Sequence, residues 1–381
     1  MRGPRKHADD LRAASKLVVE ATQGITSVVE DMHRTIASGP SLLGRPLERP
    51  ATAWTGFVYG SIRAVTGLVG TGIDATLAQL APLLGSSLPG DEREALLAAL
   101  NGVLGDRLAE ARSPLALPMT SRVEGPPGSR MLVLVHGSSM NDRQWLRAGH
   151  DHGRELARGL GTTPVYLHYN TGLHVSENGH GLSRHLEELV CGWPVPVEEV
   201  VLLGHSMGGL VARSAAFYGV GTAWRAKLRT LVCLGTPHHG SPVELGGNWI
   251  DVLLGVTAHS APLARLGKIR SAGVTDLRYG NVLDEHWQGR DRFARSADAR
   301  TPLPLPDDVA CFALAGSNSE APSDRLRGDG LVPVQSALGR HVRPELSLAF
   351  PEAHRWVALG VNHLGLLSSP AVFAQLREWL A

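Results

Sequence analysis

Residues 200–216 constrain this chain more tightly than any other stretch. An apolar run, Val200-Val201-Leu202-Leu203, meets Gly204-His205-Ser206-Met207-Gly208, and a helix-forming run from Leu210 to Ala216 follows. A serine between two glycines at such a junction sits on a strained strand-to-helix turn, with its hydroxyl presented at the end of a sheet. Gly204 and Gly208 have no Cβ, which lets strand and helix approach closely. The pentapeptide alone arises by chance in a chain with 44 glycines; the flanking strand and helix give it meaning. Ser206 then needs a parallel sheet to carry it and a base to take its proton.

The rest of the chain supplies such a sheet. Strands are expected over 131–135, 163–169, 200–203, 229–234, 309–315 and 355–359. Helices are expected over 142–160, 176–190 (with Ser176 as N-cap) and 370–380. Such alternation implies crossover connections and a mostly parallel sheet, with ligands beyond the strand C-termini. Residues about 240–305 break the rhythm after Gly235-Thr236-Pro237-His238-His239-Gly240-Ser241. With amphipathic stretches such as 248–256, they read as a lid at about 241–305 that lines an acyl pocket.

Upstream of Pro114, Pro118 and Gly125-Pro126-Pro127-Gly128, the pattern is helical. Domain boundaries are therefore expected at 1–120 for a helical extension and 121–381 for the catalytic part. Leu11, Leu17, Val18, Ile25, Val28, Val29, Met32 and Ile36 recur at helical spacing until Ser38-Gly39-Pro40. Residues 53–84 are apolar and rich in small residues, with Arg63 and Asp74 inside the run. A membrane hairpin and tightly packed helices are the two readings. No uncharged stretch there reaches about 18 residues, which disfavours spanning and leaves peripheral contact with a lipid interface open. Residues 91–111 read as a further helix opening on acidic residues.

Composition narrows the partners. Lys+Arg is 37 and Asp+Glu is 36, so no net charge pulls the chain toward nucleic acid or an anionic surface. Cys191, Cys233 and Cys311 cannot all pair and read as buried free thiols, which suits a reducing compartment. The basic N-terminus lacks the apolar core of a signal peptide, so a cytoplasmic location is expected, with membrane association left open. Oligomeric state is not fixed by the sequence.

The order of chemistry-bearing residues completes the constellation. A serine nucleophile on such a sheet is followed in the chain by an acid and then a histidine. Asp329, in Gly328-Asp329-Gly330-Leu331-Val332-Pro333, follows the 309–315 strand, with Asp324 as its rival and an ordinary Asp-Gly turn as the bland alternative. His363, in Val361-Asn362-His363-Leu364-Gly365, follows the last strand, with His354 as its rival. An oxyanion hole needs two N–H donors, here Met207 after the nucleophile and Ser138 in His136-Gly137-Ser138-Ser139. His136 reads as a residue that holds this loop, and His205 as one packed beneath the nucleophile. His150-Asp151-His152 and His238-His239 lack the spacing of a zinc site, so no metal is expected; helix capping and packing at the lid base suit them better. Phosphate-cradling and dinucleotide-binding glycine motifs are absent from the sequence, and no cofactor is expected.

Taken together, His136-Gly137, the Ser206 pentapeptide with Gly209, the 235–241 run and Asp329-Gly330-Leu331-Val332-Pro333 resemble bacterial lipases and esterases of the α/β-hydrolase superfamily. They also resemble the related lipase-like group that includes the eukaryotic GPI inositol-deacylases. The resemblance covers about residues 130–381. It implies an α/β-hydrolase fold with a mostly parallel sheet, a helical lid insertion and an N-terminal helical extension. It implies nucleophile Ser206, acid Asp329, base His363 and oxyanion donors Ser138 and Met207, acting on a small-molecule or lipid ester through an acyl-enzyme. Many secreted lipases with a similar Asp-Gly-Leu-Val-Pro run bind calcium near an aspartate that follows the histidine. Here Leu364-Gly365-Leu366-Leu367 follows His363, so no such calcium is expected. A thioesterase, an acyltransferase and an inactive membrane-associated scaffold are the alternatives. Acyl length and the alcohol part stay open, and residues 1–120 match no quoted motif.

Overall fold

The computed structural model describes residues 90–110, 112–241, 271–290, 297–323 and 326–381. The expected helices upstream of residue 90, most of the expected lid and the rival Asp324 lie outside the described residues. The described residues fall into two compact units. One holds 90–110, 112–117 and Ser271; the other holds the described residues of 118–241 and 272–381.

In the first unit, helix α1 (Gly90–Glu110) ends with Arg107 in its last turn, where a cation suits the helix dipole. Asn101 is buried on it. Its amide donates to the carbonyls of Leu97 and Leu115, and its oxygen accepts from the Leu117 N–H at 2.9 Å. One side chain thus ties the helix to the segment that leaves it. Among the described residues, no helix is long and apolar enough to cross a membrane.

The second unit is built on seven strands: β1 (Thr120–Val123), β2 (Arg130–Val135), β3 (Thr163–His168), β4 (Glu199–His205), β5 (Leu228–Leu234), β6 (Ala310–Ser317) and β7 (Arg355–Leu359). Their order is β1-β3-β2-β4-β5-β6-β7, and only the β1–β3 pair is antiparallel. The inner strands are apolar throughout because both faces are covered. Alternate residues such as Leu132, Leu134, Val201, Leu203, Val232, Leu234 and Leu314 share one core. Leu156 of helix α2 (His152–Leu160) joins it, as do Val372, Leu376 and Leu380 of the closing helix Pro370–Leu380. Helix α3 (Val175–Cys191) packs on helix α4 (Met207–Tyr218). Register levels the strand ends: Val135 pairs with Gly204, and His205 with Leu234.

Four local expectations change. The short edge strand β1 was not expected; four residues of mixed exposure carry no periodicity to read. The helix expected over 142–160 is a 3₁₀ turn (Asp142–Trp145) and then α2, because Ala148 (φ 49°) and Gly149 (φ 79°) take left-handed backbone between them. Asp151 caps α2 by accepting from the Arg154 N–H at 3.1 Å. The cap of α3 is His174 rather than Ser176: the His174 N–H donates to Glu177 Oε2 at 2.9 Å, while the buried Ser176 hydroxyl accepts from the Trp287 indole. Cys233 and Cys311 are buried free thiols, but Cys191, the last residue of α3, is exposed.

Candidate active site

The turn between β4 and α4 holds Ser206 at φ 56° and ψ −125°, backbone that a side chain with a Cβ adopts only under strain. Its N–H donates to the Leu234 carbonyl at 2.8 Å, which fixes the turn to β5. The neighbouring glycines have no room for more. A Cβ on Gly208 would lie 2.1 Å from the Val135 carbonyl oxygen, and one on Gly204 would lie 2.5 Å from Gly209. Those obstacles are backbone and cannot swing aside. Gly208→Ala is therefore expected to cost about 3 kcal/mol or more, read as a lowered Tm in thermal unfolding. A Tm unchanged from the parent would mean that the turn is looser than this packing.

Asp329 and His363 reach the same end of the sheet from the loops after β6 and β7. His363 Nδ1 donates to Asp329 Oδ2 at 2.7 Å, and both side chains are buried. Asp329 Oδ1 accepts from the Leu331 and Val332 N–H groups at 2.9 and 2.7 Å, so the carboxylate is held from both oxygens. The His363 N–H donates to the Asp329 carbonyl at 3.0 Å, which joins the two loops again. With Nδ1 carrying the proton, Nε2 presents a lone pair. His363 Nε2 and Ser206 Oγ are both buried and have no hydrogen-bond partner among the described residues. His205, at the end of β4, ties the Ser206 turn to the His363 loop: its Nε2 donates to the His363 carbonyl at 3.0 Å, and the two rings lie 4.7 Å apart. Burial holds its pKa well below the usual histidine value, with the nearby His363 adding to the effect, so it is neutral.

The loop after β2 comes in from the other side. A Cβ on Gly137 would sit 3.0 Å from Ser206 Cβ, so this loop passes directly beside the serine. Ser138 is buried, and Ser139 takes left-handed backbone at φ 59°. The amides of Ser138 and Met207 donate no hydrogen bond among the described residues. His136 is clamped behind them, with Nδ1 donating to the Gly137 carbonyl at 2.9 Å and its ring stacked on Tyr169 at 4.4 Å. Two residues of the stretch after β3 complete the clamp, and neither was picked out from sequence. The Tyr169 hydroxyl donates to the His136 carbonyl at 2.7 Å, and Thr171 Oγ1 accepts from the Ser139 N–H at 3.0 Å. Only the Tyr-x-Thr spacing at a strand end could have hinted at them. Tyr169→Phe leaves a buried carbonyl unpaired and is expected to cost about 1–3 kcal/mol in denaturant unfolding. An unchanged midpoint would show that the clamp does not depend on this bond.

The rivals separate. His354 Nδ1 bonds the Cys311 carbonyl at 3.0 Å and its ring stacks on Phe312, before β7 rather than after it. Of the histidine clusters, His150 and His152 contact each other, and His152 Nε2 donates to the Leu366 carbonyl at 2.9 Å. Among the described residues, no group of three or more His, Cys, Asp or Glu is placed to hold a metal ion.

Residues 127–301 match the protein family described as PGAP1-like alpha/beta domain. No curated protein matches the chain. Among solved structures, the chain is similar to the lipase BlEst2 of Bacillus licheniformis in its mature form, with 19% identity, 70% of this chain and 99% of that chain covered, and a TM-score of 0.46. It is also similar to lipase 1 of Pelosinus fermentans, with 13% identity, 66% and 97% covered, and a TM-score of 0.43. The esterase PF2001 of Pyrococcus furiosus gives 14% identity, 66% and 81% covered, and a TM-score of 0.40. The second unit carries a seven-strand, mostly parallel sheet with flanking helices, and residues 127–301 of the chain are similar to the PGAP1-like alpha/beta domain family.

Proposed function

We propose that this chain is a serine carboxylic-ester hydrolase that works through an acyl-enzyme on Ser206. The observation that carries the reading is the 2.7 Å bond from His363 Nδ1 to Asp329, which leaves a lone pair on a buried Nε2, while the buried Ser206 hydroxyl has no partner among the described residues. Ser206 Oγ attacks the acyl carbonyl and gives its proton to His363 Nε2. Asp329 holds the ring and offsets the imidazolium charge. The Ser138 and Met207 N–H groups receive the oxyanion of the tetrahedral intermediate, where preorganised donors in a dry site are strongest. Collapse expels the alcohol with the proton from His363. Water, deprotonated by His363, then attacks the acyl-enzyme and releases the acid. No cofactor enters this sequence of steps. Peripheral contact with a lipid interface through the N-terminal residues belongs to the same proposal.

A fluorophosphonate tests the nucleophile, with the adduct expected on Ser206 by peptide mass mapping. An unlabelled Ser206 in folded protein would leave the chain a scaffold. Asp329→Asn is expected to lower kcat by about 10⁴-fold, because the amide favours the wrong imidazole tautomer. A loss below about tenfold would remove Asp329 from the mechanism. Product analysis with a competing alcohol distinguishes hydrolysis from acyl transfer. Rates on p-nitrophenyl esters from acetate to palmitate, dissolved and emulsified, report acyl length and any use of an interface.

A further inference from the structure

Away from Ser206, α4 carries a charge that the proposed chemistry does not use. Arg213 lies seven residues beyond the nucleophile, about 10 Å along the helix axis. It is 6% exposed and pairs with no carboxylate among the described residues. Its Nη2 donates to the Leu303 carbonyl at 2.9 Å, and its Nη1 approaches His238 Nδ1 at 3.3 Å. A buried cation without a counter-charge is costly and rare.

His238 sharpens the need. It is fully buried, and burial beside the Arg213 charge keeps it neutral. Because Nδ1 accepts from Arg213, the imidazole proton resides on Nε2. That N–H is buried and finds no acceptor among the described residues.

A second guanidinium stands close by. Arg300 donates to the carbonyls of His238 and Gly280 at 3.1 and 3.0 Å. The neighbouring carboxylate, Asp298, pairs with Arg300 at 2.9 Å and is shared with Arg343 at 3.5 Å and His341 at 3.8 Å. His286 adds no charge: its Nδ1 accepts from the Val282 N–H and its Nε2 donates to the Thr301 carbonyl. Arg213, Arg300 and His238 line a cavity of about 20 Å³ together with the apolar side chains of Val282, Leu346 and Leu348. That volume holds one water-sized or halide-sized sphere.

We propose that this cavity is a binding site for one small inorganic anion of halide size. The ion supplies the counter-charge for Arg213 and the acceptor for His238 Nε2–H. Nothing in the ester-hydrolase reading requires it. It acts on the 235–241 loop and the 300–303 segment that meet there.

Bromide is the probe. In crystals of the full chain grown with sodium bromide, an anomalous difference peak is expected within hydrogen-bond reach of the Arg213 guanidinium and His238 Nε2. In solution at fixed ionic strength, replacing gluconate by chloride or bromide is expected to raise Tm by about 3–8 °C at saturation. Arg213→Met is expected to remove that dependence. A cavity without a bromine peak, or a Tm equal in gluconate and halide, overturns the proposal, as does a halide effect of the same size in Arg213→Met. If that variant does not fold, the bromide map and the halide titration of the unaltered chain decide the matter.

Discussion

Ser206→Ala is expected to lower the turnover of a short p-nitrophenyl ester by about 10⁵–10⁶-fold while the sheet stays intact. The two halves of that expectation rest on different observations. The activity falls because the hydroxyl is the attacking atom in the proposed reaction, and neither His363 nor the oxyanion donors can form an acyl-enzyme without it. What remains is the modest catalysis that binding and an oxyanion hole give on their own. Stability holds because the hydroxyl makes no hydrogen bond among the described residues to lose. The strained backbone at φ 56° is as demanding for alanine as for serine, so the strain cancels between the two proteins. Far-ultraviolet circular dichroism and Tm should match the parent, and active-site titration should find no reactive serine. Turnover within tenfold of the parent would mean that another residue is the nucleophile, and the assignment of all five site residues would go with it.

The legibility of this chain follows from which interactions are local. The Ser206 turn was readable because three glycines within six residues answer to one steric demand: β4, α4 and the loop after β2 all crowd the same point. The strands were readable because sheets covered on both faces need unbroken apolar runs. Asp329 and His363 could be placed after their strands by order alone, yet their 2.7 Å bond joins residues 34 apart and had no sequence signature of its own. His205 was read as packing; its bond to the His363 carbonyl spans 158 positions and could not be read at all. The same holds for Tyr169, whose hydroxyl clamps a loop 33 residues earlier. The misplaced helix at 142–160 has the opposite cause. Its apolar spacing suits a helix, but Ala148 and Gly149 turn left-handed, and a single non-glycine residue at positive φ gives no warning in sequence.

Stability is expected to fall as pH drops from 7 to 5, because several imidazoles are held neutral by burial, among them His136, His152, His205, His238 and His286. Burial lowers His136 from 6.5 to about 3 and His152 from 6.5 to about 4. It also holds His205 and His238 well below 6.5. The sign follows from proton counts. Below pH 6.5 the unfolded chain takes up protons at these sites and the folded chain does not, so folding loses ground as pH falls until the folded pKa values are reached. A site whose folded pKa lies below 5, as for His136 and His152, loses about 2 kcal/mol between pH 7 and 5, a sizeable share of the stability of an ordinary domain. Carboxylates act in a separate window. Burial pushes Asp142 up, but the His168 and Arg122 hydrogen bonds outweigh it and hold the carboxyl at about 2 against an ordinary 3.8. Its contribution is therefore lost only below about pH 4, after the histidines have acted. Urea unfolding at half-unit steps should show the midpoint dropping from pH 6.5 downward. His152→Gln should flatten the slope by about 1.4 kcal/mol per pH unit at fixed temperature, since one titrating site is gone. A midpoint constant from pH 7 to 5 would mean that these rings are protonated in the folded chain, and with His205 charged beside His363 the proposed base would have a cation at its back.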